Sequence, residues 1–128
     1  MKRVLLVVTL IALVSCEGEP ANTHAPSMAN HRFTPETLTI APGEVVRWAN
    51  DTDEAHTVTA VQDSIPPGAE YFSSGRAADE DAANDSLGEE LLDPGDVFEW
   101  TFEELGTYRY YCIPHRADGM EGTIVVER

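Results

Sequence analysis

From Phe33 onward, apolar and polar positions alternate in short runs with a period of two, the period of a half-buried strand. Phe33, Leu38 and Ile40 lie in the first such stretch, which an Ala41-Pro42-Gly43 turn closes. Val45-Val46-Arg47-Trp48 follows, ended by Asn50-Asp51-Thr52-Asp53, and then His56 to Val61 alternates again. Val97, Phe98, Trp100 and Phe102 mark a later run, and Gly106–Cys112 and Gly122–Val126 the last two. Short strands separated by Pro, Gly and Asp turns predict an all-β domain, either a sandwich or a barrel. Residues 62–95 break the pattern. They open on Ile65-Pro66-Pro67-Gly68 and continue through an Ala- and acid-rich stretch. A structureless loop that long is uncommon in a compact domain. The expectation is a turn or two of helix near Ala77–Asn84, pinned to the sheets by Tyr71, Phe72 and Leu91.

The N-terminal residues have a different character. Met1-Lys2-Arg3 is basic and Val4–Val14 is apolar except for Thr9. That run is shorter than the ~20 residues of a spanning helix but fits the hydrophobic region of a signal peptide. It closes on Leu13-Val14-Ser15-Cys16, which resembles the prokaryotic lipobox, with residues 1–15 cleaved and Cys16 acylated. Residues 16–30, with two prolines and no periodicity, read as a flexible tether, leaving 31–128 as the single domain. The expected location is the extracytoplasmic face of a prokaryotic membrane, periplasm or cell surface. His24 and His31 lie in or just after the tether and are assigned no role.

Charge narrows the partners. The chain holds 23 Asp and Glu against 8 Lys and Arg, a net of −15, and Lys2 is its only lysine. Such an excess argues against nucleic acid, whose phosphates require cations. Acids such as Asp79, Glu80, Asp81, Glu89 and Glu90 read as solvated salt-adaptation charges in preference to a steering patch for a basic partner. The sequons Asn50-Asp-Thr52 and Asn84-Asp-Ser86 are weak signals of glycosylation.

The chemistry concentrates at Cys112-Ile-Pro-His115-Arg-Ala-Asp-Gly-Met120. One thiolate, one imidazole and one thioether fall in a single loop between two predicted strands. Pro114 restricts the backbone before His115, and Gly119 allows a tight bend before Met120. His56, from a strand elsewhere, can supply a second imidazole. Two His and one Cys with a weak Met ligand form the set expected of a mononuclear blue-copper site. Zinc would accept the Cys and His residues, but Met is a poor zinc ligand. With Cys16 acylated, Cys112 is the only free thiol; the competing arrangement is a Cys16–Cys112 disulfide.

The segment from Gly106 through Cys112-Ile-Pro-His115 to Gly119-Met120-Glu-Gly-Thr-Ile-Val resembles the C-terminal copper loop of plastocyanin-like cupredoxins, closest to their halocyanin and amicyanin side. The similarity extends through Phe33–Ile40, the Ala41-Pro42-Gly43 turn and Ile65–Ala69. It implies a Greek-key β-sandwich holding one copper ion, with His56, Cys112, His115 and Met120 as ligands. It also places an aromatic neighbour of the Cys ligand, implicated in electron exit or partner contact, on Tyr111. Many relatives carry Asn after the first His ligand, where this chain has Thr57. Its hydroxyl and its N–H are expected to tie the ligand loops together and to point at the Cys112 sulfur.

The expected activity is that of a monomeric, lipid-anchored carrier, not an enzyme, passing single electrons between donor and acceptor redox proteins that dock transiently. His115 would be the solvent-edge ligand, with Ile113 and Pro114 in a small apolar docking surface. The alternative is a non-redox copper carrier or storage domain that hands metal to another protein.

Overall fold

The computed structural model describes residues 22–128. The predicted signal peptide and the acylation site at Cys16 lie outside the described residues.

Two sheets pack face to face. One holds β1 (Thr23–His24), β3 (Glu44–Ala49) and β5 (Val97–Phe102), in the order β1-β3-β5. The other holds β2 (Thr37–Ile40), β7 (Glu121–Val126), β6 (Gly106–Tyr111) and β4 (Thr59–Ala60), in the order β2-β7-β6-β4. β3 and β5, and β6 and β7, pair antiparallel, whereas β2 runs parallel to β7.

The alternation seen in the sequence points one set of side chains inward. Val46 and Trp48 from β3 and Phe98 and Phe102 from β5 meet Tyr108, Tyr110, Ile124 and Val126 from the other sheet, all buried. Trp48 lies at the centre, with its ring centroid 5.6 Å from Phe98 and 5.4 Å from Tyr110. Gly122 is small because the Tyr110 ring occupies the space a side chain would need.

Four expectations change. The folded domain begins before residue 31: β1 runs parallel to β3, with Thr23 beside Val45, and Met28 is fully buried in the core. A two-residue strand carries no alternation that a sequence pattern could show. The segment 62–95 is helical slightly later than expected, in α1 (Glu80–Asp85) and α2 (Leu87–Glu90). The Asp79 carboxylate starts α1 by accepting the Ala82 N–H at 2.8 Å. Phe72 and Leu92, rather than Leu91, are the buried anchors. Glu90 is not a surface charge: it is buried, and its carboxylate accepts from Ser73 Oγ at 3.1 Å and Gly75 N–H at 2.8 Å. It joins α2 to the segment before it.

Candidate metal centre

One end of the sandwich collects the predicted ligands. β6 delivers Cys112 and the loop to β7 returns at once: the Cys112 N–H donates to Met120 O at 3.0 Å, and the Met120 N–H to His115 O at 3.2 Å. Gly119 makes the bend with φ 79°, a left-handed conformation that costs glycine little. His56 reaches the same point from the segment before β4, fixed by a two-way backbone bridge to Leu92.

The side chains converge. Cys112 Sγ lies 3.8 Å from His56 Nδ1 and 3.4 Å from His115 Nδ1. A nitrogen roughly 2.0 Å and a sulfur roughly 2.3 Å from one ion, at tetrahedral to trigonal angles, stand about 3.5–3.7 Å apart, so the spacing suits a single metal ion. Cys112, His56 and Met120 are buried, and His115 keeps 15% of its side chain exposed, making it the solvent-edge member of the set. A thiolate, two imidazoles and a thioether are a soft, nitrogen-containing set that suits copper in both oxidation states.

The surroundings orient these groups. The Thr52 hydroxyl donates to Asn50 Oδ1 at 2.7 Å and so accepts from His56 Nε2 at 2.9 Å, which leaves the Nδ1 lone pair facing the sulfur. Asn50 is itself buried, and its amide donates to Glu54 O at 2.7 Å and Leu92 O at 2.8 Å. Its side chain is therefore part of the scaffold of the site, which leaves that sequon no room for a glycan. Thr57 does both things expected of it. Its N–H points at Cys112 Sγ at 3.3 Å, and its hydroxyl accepts the Ile113 N–H at 2.8 Å, joining the two ligand loops.

Burial pushes the Cys112 thiol above its ordinary pKa, against the opposing pull of the Thr57 N–H. Burial likewise lowers His56, helped by the nearby His115, and so favours the neutral imidazole that a metal requires.

Tyr111 sits beside Cys112 but is only 1% exposed. Its hydroxyl donates to Glu80 at 2.9 Å and accepts from Asn84 at 2.9 Å, while the Arg116 guanidinium lies 3.9 Å from its ring centroid. Helix α1 thus covers the aromatic neighbour of the thiolate. Pro114 is exposed and Ile113 half-buried at the rim.

Sequence reasoning missed Thr52, Asn50 and the pair His31 and Glu54. His31 stacks on His115 at 3.9 Å between ring centroids and 21° between planes. Its Nε2 meets Glu54 at 2.5 Å and its Nδ1 meets Asp118 at 3.1 Å. The Glu54 hydrogen bond raises the His31 pKa, and the same bond lowers that of Glu54. The only signal in the sequence was spacing: Glu54 stands next but one to a ligand, and Asp118 lies inside the ligand loop.

Comparisons with known proteins agree with this geometry. A family model described as copper binding proteins of the plastocyanin/azurin family matches residues 21–127. Plastocyanin from Scenedesmus fuscus is 35% identical over 95 residues, covering 74% of this chain and 86% of that protein. Among solved structures, a purple cupredoxin from Nitrosopumilus maritimus is 25% identical with a TM-score of 0.58, covering 81% of this chain and 99% of that one. A pseudoazurin from Methylobacterium extorquens has a TM-score of 0.62 at 23% identity, over 82% of this chain and 75% of that one.

Proposed function

The chain belongs to the plastocyanin/azurin family of copper-binding proteins, and we propose that it is a type 1 copper protein shuttling single electrons between membrane-associated redox proteins. The observation that carries this reading is the meeting of Cys112 Sγ with the Nδ1 atoms of His56 and His115 in a largely buried pocket. His56, Cys112 and His115 would hold the ion, with Met120 as the weak fourth ligand. Bound there, copper supplies a one-electron couple between Cu(II) and Cu(I).

The residues of the chain do the rest. Thr52 keeps the Nδ1 of His56 turned inward, and the Thr57 N–H disperses charge on the sulfur. Burial of three of the four donors would exclude water, so that little solvent has to reorganise when an electron arrives or leaves. His115, at the rim with Ile113 and Pro114, is the route by which a partner would reach the metal. Tyr111, covered by α1, would serve as an inner packing group and not as a surface that a partner touches.

We further propose export and acylation of Cys16, supported by the basic start, the short apolar run and the lipobox-like Leu13-Val14-Ser15-Cys16. The carrier would work as a monomer, with small and transient docking surfaces. The test is spectroscopic. The copper-loaded protein should show an intense visible thiolate-to-copper band and reversible one-electron cycling. A colourless protein that donates Cu(I) to an acceptor would replace this reading with that of a metal carrier.

A further inference from the structure

His31 stands outside the ligand set yet is fixed more firmly than an incidental surface histidine. It ends a short 3-10 turn, Ala29–His31, in which Asn30 and His31 both have positive φ, 58° and 52°. That conformation is uncommon for residues other than glycine, and two in succession are set by the surrounding contacts. Those contacts come from both ligand-bearing loops. Glu54, just before His56, holds Nε2, and Asp118, between His115 and Met120, holds Nδ1. Thr57 ties the same two loops from the inside. The clamped ring lies flat on His115, and 36% of its side chain is exposed, against 15% for His115.

A second metal ion at His31, Glu54 and His115 would explain the proximity of their ligand atoms, which lie within 4.8 Å of one another. The stacking argues against it: imidazole lone pairs lie in the ring plane, and two rings 21° from parallel aim theirs side by side. The geometry points instead to a positioning role. We propose that the aromatic face of His31 fixes the ring plane of His115 through the face-to-face stack and so sets how fast electrons cross the exposed edge of the site. The inference rests on the electron-carrier reading above.

His31→Ala and His31→Phe separate the stack from charge, because both lose the hydrogen bonds to the carboxylates and only Phe keeps an aromatic face. In the metal-free protein, NMR should show His115 ring protons shifted upfield by the neighbouring ring. The shift should disappear in His31→Ala and persist in His31→Phe. In the copper-loaded protein, a small ruthenium(II) ammine complex gives one electron to the Cu(II) form and becomes ruthenium(III). That rate should fall about tenfold in His31→Ala, less than the loss that a misplacement of about 1 Å can bring. In His31→Phe it should stay within about twofold of the parent. An unchanged His115 ring shift in the Ala variant, or equal rates in the Ala and Phe variants, overturns the positioning role. Failure of the parent protein to show the thiolate band overturns the reading beneath it, while the metal-free ring shift still decides whether His31 positions His115.

Discussion

Replacing Thr57 by Val tests how the two ligand loops are joined. Thr57 is fully buried, and Val keeps its shape and its backbone N–H on the Cys112 sulfur. What disappears is the hydroxyl, which accepts the Ile113 N–H at 2.8 Å and shares a hydrogen bond with the buried Thr59 hydroxyl at 3.0 Å. Leaving a buried donor unpaired costs about 1–3 kcal/mol. Ile113 is half-exposed and can recruit water, so that group falls at the low end, and Thr59 adds a second, drier loss. The sum is about 2 kcal/mol, or roughly 8 °C of Tm for a domain of this size. The assay is thermal and urea unfolding of the metal-free protein, which removes the stabilisation that a bound ion would add. Thr57→Ser, which loses a methyl but keeps the hydroxyl, should cost about 1 kcal/mol and leave the copper spectrum unchanged. The Val variant should stay coloured, because the N–H to sulfur contact survives, but with a shifted reduction potential. A Val variant as stable as the parent, with the same potential, would refute the idea that this hydroxyl couples the loops.

Removing the thiol in Cys112→Ala should abolish the visible band, whereas Met120→Leu should retain metal and colour and move the potential; voltammetry and absorption spectra check both. Gly122→Ala should cost about 1–3 kcal/mol in urea unfolding, because its new Cβ would meet Tyr110 Oη at 2.5 Å and Cε1 at 2.7 Å. Glu44 collects the Ala41 N–H, His24 and Asn22, and the Ala41 bond leads in holding its carboxyl below the usual range. A depressed folded pKa gives stability that is present above the unfolded pKa and lost as pH falls through the folded one. Glu44→Gln should therefore be less stable than the parent at about pH 7, with the gap narrowing as pH falls below the ordinary glutamate value of about 4.3. A gap independent of pH would show that the carboxylate charge contributes nothing.

The sequence made the ligands visible because their chemistry is unusual and local: Cys112, His115 and Met120 fall in one loop, and no common structural need calls for that spacing. The strands were legible wherever one face is buried, as in β5 and β7, whose alternation is a direct image of the core. What escaped depends on contacts between distant segments. Thr52 and Asn50 look like turn residues until the fold brings Leu92 beside them. Glu90 resembles its exposed neighbour Glu89, and only the packing of Ser73 and Gly75 against it makes it an interior group. His31 resembled a tether histidine because the residues before it were expected to be free, whereas β1 and Met28 bind them to the domain.

That early attachment has a geometric consequence. β1 enters beside Val45, at the start of β3, while the far end of β3 leads straight to Asn50 and the metal centre. The six residues of β3 span roughly 20 Å, so the chain joins the domain at the pole opposite the redox edge. A lipid on Cys16, as proposed, would lie seven residues before Thr23, a stretch that reaches at most about 25 Å. An anchor there would favour orientations with His115 facing away from the bilayer. Such a carrier exchanges electrons most readily with partners whose redox heads rise to its own height, and must tip over to serve one lying flush with the lipid.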